Sequence, residues 1–147
     1  FIEKIKTHEP RYDIWRFSLQ IFEEQNLGLF GLGTYKTQEL LVEKYKLMPI
    51  DKRKNWFIQR NFNTHNQYID IILSFGFIGL ILFTVFLRDI VLITYKNIYS
   101  LNLILSLILF LVIENLFHRQ LGSFILALTI VIAVYIINSQ NEKDTSS

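Results

Sequence analysis

The hydrophobic and polar positions divide the chain near residue 65. Residues 1–64 mix charged, aromatic and apolar positions, whereas apolar positions dominate from there to residue 137. Ile71 to Leu87 contains no charged side chain in seventeen positions, close to the roughly 20 apolar residues that cross about 30 Å of hydrocarbon. The pattern therefore predicts an all-α integral membrane chain. Its predicted parts are a helical loop over 1–64, three transmembrane helices within 65–137 at about 65–87, 98–115 and 121–137, and a polar tail over 138–147.

The leading loop contains one amphipathic segment, Arg11 to Gln25. Its apolar side is predicted to carry Ile14, Trp15, Ser18, Ile21 and Phe22, while Asp13 points toward the polar side. A helix of this length fits two settings equally well, either lying on the membrane surface or packing on other protein. Asn26 and Gly28 are expected to end it, because both accept left-handed backbone.

Two glycines and a second apolar stripe follow in the same loop. Gly31 and Gly33 allow the backbone to turn tightly and to approach either a ligand or another chain segment. Residues 38–47 are predicted to form a second short helix that Pro49 ends. The charged run 51–55 is predicted to be a solvated loop.

A helix start is predicted at His65. Thr64 and Gln67 have the spacing of a capping box, which satisfies the free amides at a helix start. A histidine on the first turn feels the positive end of the helix dipole, which favours a neutral imidazole able to accept a proton. The alternative is that His65 is simply a polar interfacial residue. Asp70, in the next turn, is either solvated near the interface or faces a site.

Composition narrows the classes of function. The chain is 51% hydrophobic and 15% aromatic, which is unusual for a soluble protein. Residues 1–66 hold eleven of the fifteen Lys and Arg and eight of the thirteen Asp and Glu, and this excess of +3 is too small to indicate a nucleic-acid interface. The absence of cysteine excludes disulfides and thiolate metal sites. Glu114 with His118 gives only a two-ligand fragment, and His65 belongs to another predicted helix, so we predict no metal or other cofactor.

Positive charge in the short connections predicts the orientation. Arg88 and Lys96 flank the first connection, whereas the second carries only Arg119, and this favours placing the first connection inside the cell. The leading loop, His65, Glu114 and Arg119 are then predicted on the outer face, with a cytoplasmic tail. The chain begins with Phe and shows no signal-peptide pattern, which favours the carboxyl-terminal part of a longer protein.

Three segments, in this order and spacing, resemble the O-antigen ligase and polymerase superfamily. They are Arg11-Tyr12-Asp13-Ile14-Trp15, then Gly31-Leu32-Gly33, then Thr64-His65-Asn66-Gln67-Tyr68 leading into a helix that carries Gly76 and Gly79. The resemblance runs from Arg11 to about Ile137 and corresponds to the carboxyl-terminal domain of that superfamily. It implies a fragment of a polytopic glycosyltransferase of the GT-C type in the bacterial inner membrane, with its catalytic loop on the periplasmic side.

The resemblance also implies a reaction and roles for individual residues. A glycan would pass from an undecaprenyl-pyrophosphate carrier to an acceptor hydroxyl, with inversion and without a metal ion. His65 would act as general base and Arg11 would hold the pyrophosphate, with Asn66, Glu114 and Arg119 also in substrate binding. A second pyrophosphate-binding arginine is expected either in the upstream part of the longer protein or at Arg16 or Arg60, which are equal candidates.

Several functions stay open at this point. Ligation of O-antigen to the lipid A core is the leading reading, ahead of O-antigen polymerisation and of glycan transfer to a protein. Two hypotheses assign the chain to a different functional class, namely a membrane solute transporter and a non-catalytic membrane scaffold. A transporter would leave the surface glycans unchanged when His65 is lost, and a scaffold would tolerate replacement of both Arg11 and His65.

Overall fold

A computed structural model describes residues 9–49 and 52–145 of the chain, without the side chains of residues 52 and 140–145. These parts contain α-helices and no β-strand, as the sequence predicted. The helices are α1 (Pro10–Glu24), α2 (Thr34–Lys46), α3 (Lys52–Arg60), α4 (Gln67–Thr94), α5 (Ile98–Ile113) and α6 (Gln120–Thr145). The chain divides into two compact units, and the division falls between Leu80 and Ile81.

The first unit has an apolar core in which α1 takes part through the predicted face. The buried members of this core are Ile14, Phe17, Ile21, Leu41, Tyr45, Phe57 and Leu73. Helix α1 ends at Glu24, and Asn26 follows with a left-handed φ of 47°, as expected for a residue that stops a helix. Asp13 is buried, so its placement toward the polar side was wrong. The reason is that Arg53 from α3 pairs with it.

The solvated loop predicted over 51–55 is wrong from Lys52 onward, because α3 occupies this segment. Residue 51 lies outside the described residues. Phe57 anchors the helix: it is fully buried and meets the rings of Tyr45 and Phe62 edge-on, with centroids 5.2 and 5.3 Å away. The buried ring shows that α3 has an apolar side. This side is hard to recognise in the sequence because the segment is rich in basic residues.

Helix α4 begins at Gln67, two residues later than predicted, and continues past its approximate predicted end at residue 87 to Thr94. It contains one break, at Gly76, whose φ of 71° and ψ of −164° are not helical. A side chain would be strained in that conformation, which is why glycine is needed there. The break lies inside the apolar stretch of the helix, and its hydrogen bonding is described below.

The second unit contains the later apolar helices. Helix α5 occupies 98–113, close to its predicted bounds, whereas α6 continues through Thr145 over most of the predicted tail. Ser100 donates a hydrogen bond to the carbonyl of Ala133 at 2.8 Å, which ties α5 to α6. Two helical segments in the described residues are long and apolar enough to cross a membrane, Gln67–Thr94 and Gln120–Ser139. Helix α5 is apolar but only 16 residues long.

Candidate functional site

His65 lies in a tight turn between α3 and α4. Its φ of 45° is left-handed, a conformation that costs free energy for residues other than glycine but is enriched for histidine. The backbone amide of His65 donates to Oδ1 of Asn63 at 3.0 Å, an Asx-type turn. The predicted position on the first helical turn is therefore wrong, because His65 precedes the helix by two residues.

Asn66 is the residue that caps α4. Its Oδ1 accepts hydrogen bonds from the amides of Tyr68 at 2.9 Å and Ile69 at 3.0 Å, and the side chain is buried. Asparagine is among the residues preferred at a helix cap. Asn66 thus fixes where the helix begins, at Gln67.

The turn is attached to α1 and to an aromatic cluster. The indole Nε1 of Trp15 donates to the carbonyl of Thr64 at 3.0 Å. The His65 ring lies against Phe62 with centroids 5.5 Å apart, and Phe62 in turn packs on Trp56 at 4.7 Å. The position of the imidazole is therefore set by neighbours from two other segments.

Tyr45 fixes the same turn from α2. Its hydroxyl donates to the carbonyl of Phe62 at 3.1 Å, and the Gln38 amide donates to that carbonyl at 3.0 Å. Burial raises the pKa of the Tyr45 phenol above its ordinary value, because ionisation would place a charge in the core. The phenol is therefore a neutral hydrogen-bond donor at physiological pH.

Arg11 stands one helical turn before Trp15, on the face of α1 that meets the His65 turn. The guanidinium of Arg11 is half-buried and pairs with Glu9 at 3.2 Å. Asn66, His65 and Arg11 thus belong to one unit of the fold. Their joint role in substrate binding and catalysis stays a prediction.

Asp13 brings two further arginines together. Its carboxylate binds Arg16 at 3.2 Å through Oδ1 and Arg53 at 2.8 Å through Oδ2. Arg16 was a candidate from the sequence, whereas Arg53 was missed because its segment was predicted to be a loop. The signal that points to Arg53 is its position one turn before Phe57, which indicates a helix with both residues on one side. Arg60 is exposed at the end of α3.

Glu114 and Arg119 belong to the second unit, in the polar turn between α5 and α6. Glu114 is half-buried at the end of α5, and its Oε1 accepts a hydrogen bond from the amide of Asn115 at 3.3 Å. Arg119 is exposed, and its backbone amide donates to Leu116 at 3.3 Å. The predicted polar turn is confirmed, and the roles of its two charged residues in binding remain predictions.

Within the described ranges 9–49 and 52–145, no group of three or more His, Asp or Glu side chains could hold a metal ion. The chemistry available to the described site comes from the imidazole, the guanidinium groups and the amide side chains of the turn.

A known protein family matches the part of the chain that contains the His65 turn. No curated protein and no solved structure matches the chain. The family model described as O-Antigen ligase matches residues 4–84, more than half of the chain. The matched range includes Arg11, His65 and Asn66, whereas Glu114 and Arg119 lie beyond it. The match and the apolar helices together indicate a membrane protein. The chain belongs to the O-antigen ligase family.

Proposed function

We propose that this chain is part of an inner-membrane glycosyltransferase of the GT-C type that acts on the periplasmic face. It transfers a glycan from an undecaprenyl-pyrophosphate carrier to an acceptor hydroxyl, and the acceptor is the lipid A core. Three helices cross the membrane, α4, α5 and α6, and the residues before α4 form the periplasmic loop. Membership of the family supports glycan transfer in general. The contacts that hold the turn around His65 in place support the choice of His65 as the catalytic residue.

One observation carries the proposal: His65 is held in a left-handed conformation by contacts from several segments. Asn63 accepts from its amide, Trp15 holds the preceding carbonyl, and Phe62 lies against its ring. Backbone strain of this kind costs about 1–3 kcal/mol and persists where the surrounding structure enforces it, commonly at active sites. Asn26 shares the left-handed conformation at a helix end, and what distinguishes His65 is that Trp15 holds the peptide before it and Phe62 lies against its ring.

In the proposed step, His65 acts as a general base toward the acceptor. The acceptor oxygen forms a bond to the anomeric carbon of the glycan while the bond from that carbon to the pyrophosphate oxygen breaks. The imidazole takes the hydroxyl proton, and the lipid pyrophosphate leaves on the opposite face, which inverts the configuration. Arginine donors stabilise the charge of the leaving pyrophosphate, so the step requires no metal ion.

Arg11 and Arg53 are the arginines that we assign to the pyrophosphate. Arg11 is on the face of α1 that reaches the His65 turn, and Asp13 on the same helix fixes the guanidinium of Arg53. A guanidinium presents five N–H donors in a planar fork. A guanidinium that is oriented by one carboxylate therefore still has donors that can bind a phosphate. This assignment ranks Arg53 above Arg16 and Arg60. Asn66 acts by placing His65, and Glu114 and Arg119 assist in binding.

The decisive experiment replaces His65 in the complete enzyme with alanine and with asparagine. Asparagine accepts left-handed backbone as readily as histidine but cannot act as a base. We expect both variants to insert normally and to lose transfer by about 10²–10⁴-fold, the usual contribution of a general base. The assay follows glycan transfer in membrane vesicles with carrier-linked donor. A His65→Asn enzyme with wild-type activity would show that the turn has only a structural role.

The arginine assignment has its own test. Arg53→Lys keeps the charge but loses the fork, so we expect weaker use of the carrier-linked donor, seen as a raised KM. Arg60→Lys is the matched control, because it makes the same change at an exposed position of the same helix. Equal effects of the two variants would remove Arg53 from the pyrophosphate site.

The acceptor can be identified in the host by deleting the gene and complementing with wild type or with His65→Ala. Lipopolysaccharide core without repeats, together with accumulated carrier-linked polymer, indicates a ligase. Core with a single repeat indicates a polymerase. A normal lipopolysaccharide ladder contradicts both, and it points to a protein acceptor, a transporter or a scaffold.

A further inference from the structure

The break in α4 is closed by a loop from far earlier in the chain. Residues 28–33 run beside residues 73–78 of α4 and exchange backbone hydrogen bonds with them. The four bonds are Leu32 N to Leu73 O (2.9 Å), Gly33 N to Ser74 O (2.8 Å), Phe77 N to Gly28 O (3.1 Å) and Ile78 N to Leu29 O (3.2 Å). The backbone groups that the break releases from the helix are thereby bonded to the loop.

Two glycines allow the two segments to come this close. A side chain at Gly31 would overlap the backbone of Ser74, and one at Gly76 would overlap the backbone of Leu29. A side chain at Gly28 would meet nothing within 4 Å. Gly31 thus serves the approach of another chain segment, one of the two possibilities that the sequence left open, whereas Gly33 has open space around it and a left-handed φ of 84°.

The bonded part of α4 lies within its apolar stretch. Residues 73–78 fall inside the uncharged run from Ile71 to Leu87, and α4 is one of the helices long and apolar enough to span a membrane. Gly76 follows Asp70 by six residues, about 9 Å along the helix axis. Irregular backbone is tolerated at membrane depth only where its polar groups are satisfied by protein. The four hydrogen bonds meet that condition.

The loop presents apolar side chains where it meets α4. Leu29 is 65% exposed and Phe30 is 74% exposed, next to the exposed rings of Phe75 and Phe77 on the helix. Phe22, near the end of α1, also touches Phe77, with ring centroids 6.0 Å apart. These side chains continue the apolar surface of a candidate membrane span, so the surroundings that suit them are lipid hydrocarbon.

We propose that residues 28–33, within the loop proposed above to be periplasmic, re-enter the bilayer, with Leu29 and Phe30 in contact with lipid acyl chains. The Gly31 and Gly76 contacts hold the loop at this depth against α4. The proposal does not depend on the glycosyltransferase function, since it follows from the hydrogen bonds, the exposed side chains and the apolar stretch of α4.

Site-directed spin labelling tests the depth of the loop. A nitroxide is attached to Phe30→Cys in the complete protein, reconstituted in phospholipid vesicles in a form whose only cysteine is the introduced one. Oxygen concentrates in hydrocarbon, whereas a nickel chelate stays in water, so the ratio of their accessibilities reports depth. Leu82→Cys on α4 is the lipid control. Leu47→Cys is the control for an exposed apolar residue outside the span.

We expect the ratio at Phe30 to equal that at Leu82 and to exceed that at Leu47 several-fold. A ratio like that of Leu47 would place the loop in water and overturn the proposal. Low accessibility to both reagents would show that protein covers Phe30, which also overturns it. Leu29→Cys gives a second reading at the adjacent residue if the Phe30 variant does not fold.

A glycine pair tests the contact that holds the loop. Gly31→Ala introduces the overlap with Ser74, whereas Gly28→Ala adds the same atom in open space. Gly31→Ala should shift the Phe30 label toward nickel accessibility or lower the amount of inserted protein, and Gly28→Ala should do neither. An unchanged label in Gly31→Ala would show that the glycine contact does not set the depth.

Discussion

The two units of the chain, which divide between Leu80 and Ile81, bury their apolar side chains differently. In the first unit, large aromatic residues such as Tyr45 and Phe57 are fully buried. The second has a small buried cluster of Ile90, Ile104 and Ala133, while many of its large apolar side chains stay exposed. The first unit therefore has a hydrophobic core of its own, whereas the exposed apolar side chains of the second unit require an apolar environment.

The largest expected effect compares one ring from each unit. Phe57→Ala removes a fully buried ring and should lower the free energy of unfolding by about 3–5 kcal/mol. Phe124→Ala, on the exposed surface of α6, should change it by less than about 0.5 kcal/mol. Denaturation of the two variants in detergent micelles, followed by circular dichroism, measures both. Equal losses would mean that the two units do not differ in this way.

The charged cluster of the first unit should matter next. Asp13→Asn weakens the pairing with Arg16 and Arg53 on a largely buried carboxylate, and we expect a loss of about 2–3 kcal/mol. Glu24→Gln is the control, because it removes an ion pair, with Lys44, from a more exposed carboxylate and should cost at most about 1 kcal/mol. The same denaturation experiment compares them, and a smaller loss for Asp13→Asn would refute the order.

A third expectation concerns the pH dependence of the first unit. Because burial raises the pKa of Tyr45, the folded chain keeps the phenol proton that the unfolded chain releases above about pH 10. The contribution to stability is complete below that pH and is lost above it, by up to about 1.4 kcal/mol per pH unit. Tyr45→Phe should flatten this decline. Parallel pH profiles of the two proteins would exclude Tyr45 as its source.

The smallest effect is expected in the second unit. Ser100→Ala removes the hydrogen bond to Ala133 that joins the apolar helices α5 and α6. If both helices lie in a membrane, as proposed, the expected loss is about 0.6 kcal/mol. Ser106→Ala is the matched control, because Ser106 is exposed and donates to Asn102 of its own helix. Thermal unfolding in micelles should show a small loss for the first variant and none for the second. A large loss at Ser100 would show that the stability of this unit depends on a buried hydrogen bond, contrary to the comparison.

Local patterns in the sequence account for part of this structure. The buried face of α1, the left-handed Asn26 and the bounds of α5 each follow from periodicity or from a single residue preference. The family resemblance stated from Arg11, the glycines and the His65 segment is confirmed over residues 4–84.

The remaining features depend on contacts between distant segments. Helix α3 was missed because a run of basic residues conceals Phe57, whose burial requires Tyr45 from α2. His65 was placed on the helix because Thr64 and Gln67 have the spacing of a capping box, whereas in the folded chain the side chain of Asn66 caps the helix. Arg53 could not be assigned to the candidate site from the sequence, because its contact with Asp13 depends on the position of α3 in the fold.

The hydrogen bonds between residues 28–33 and α4 also set an order of events during biosynthesis. The loop leaves the ribosome before residues 73–78 do, so its partners do not yet exist when it is made. The first unit can therefore complete its fold only after α4 has been synthesised. Synthesis of α4 is thus a folding step for the segment before it, because residues 28–33 lack these hydrogen-bond partners until then.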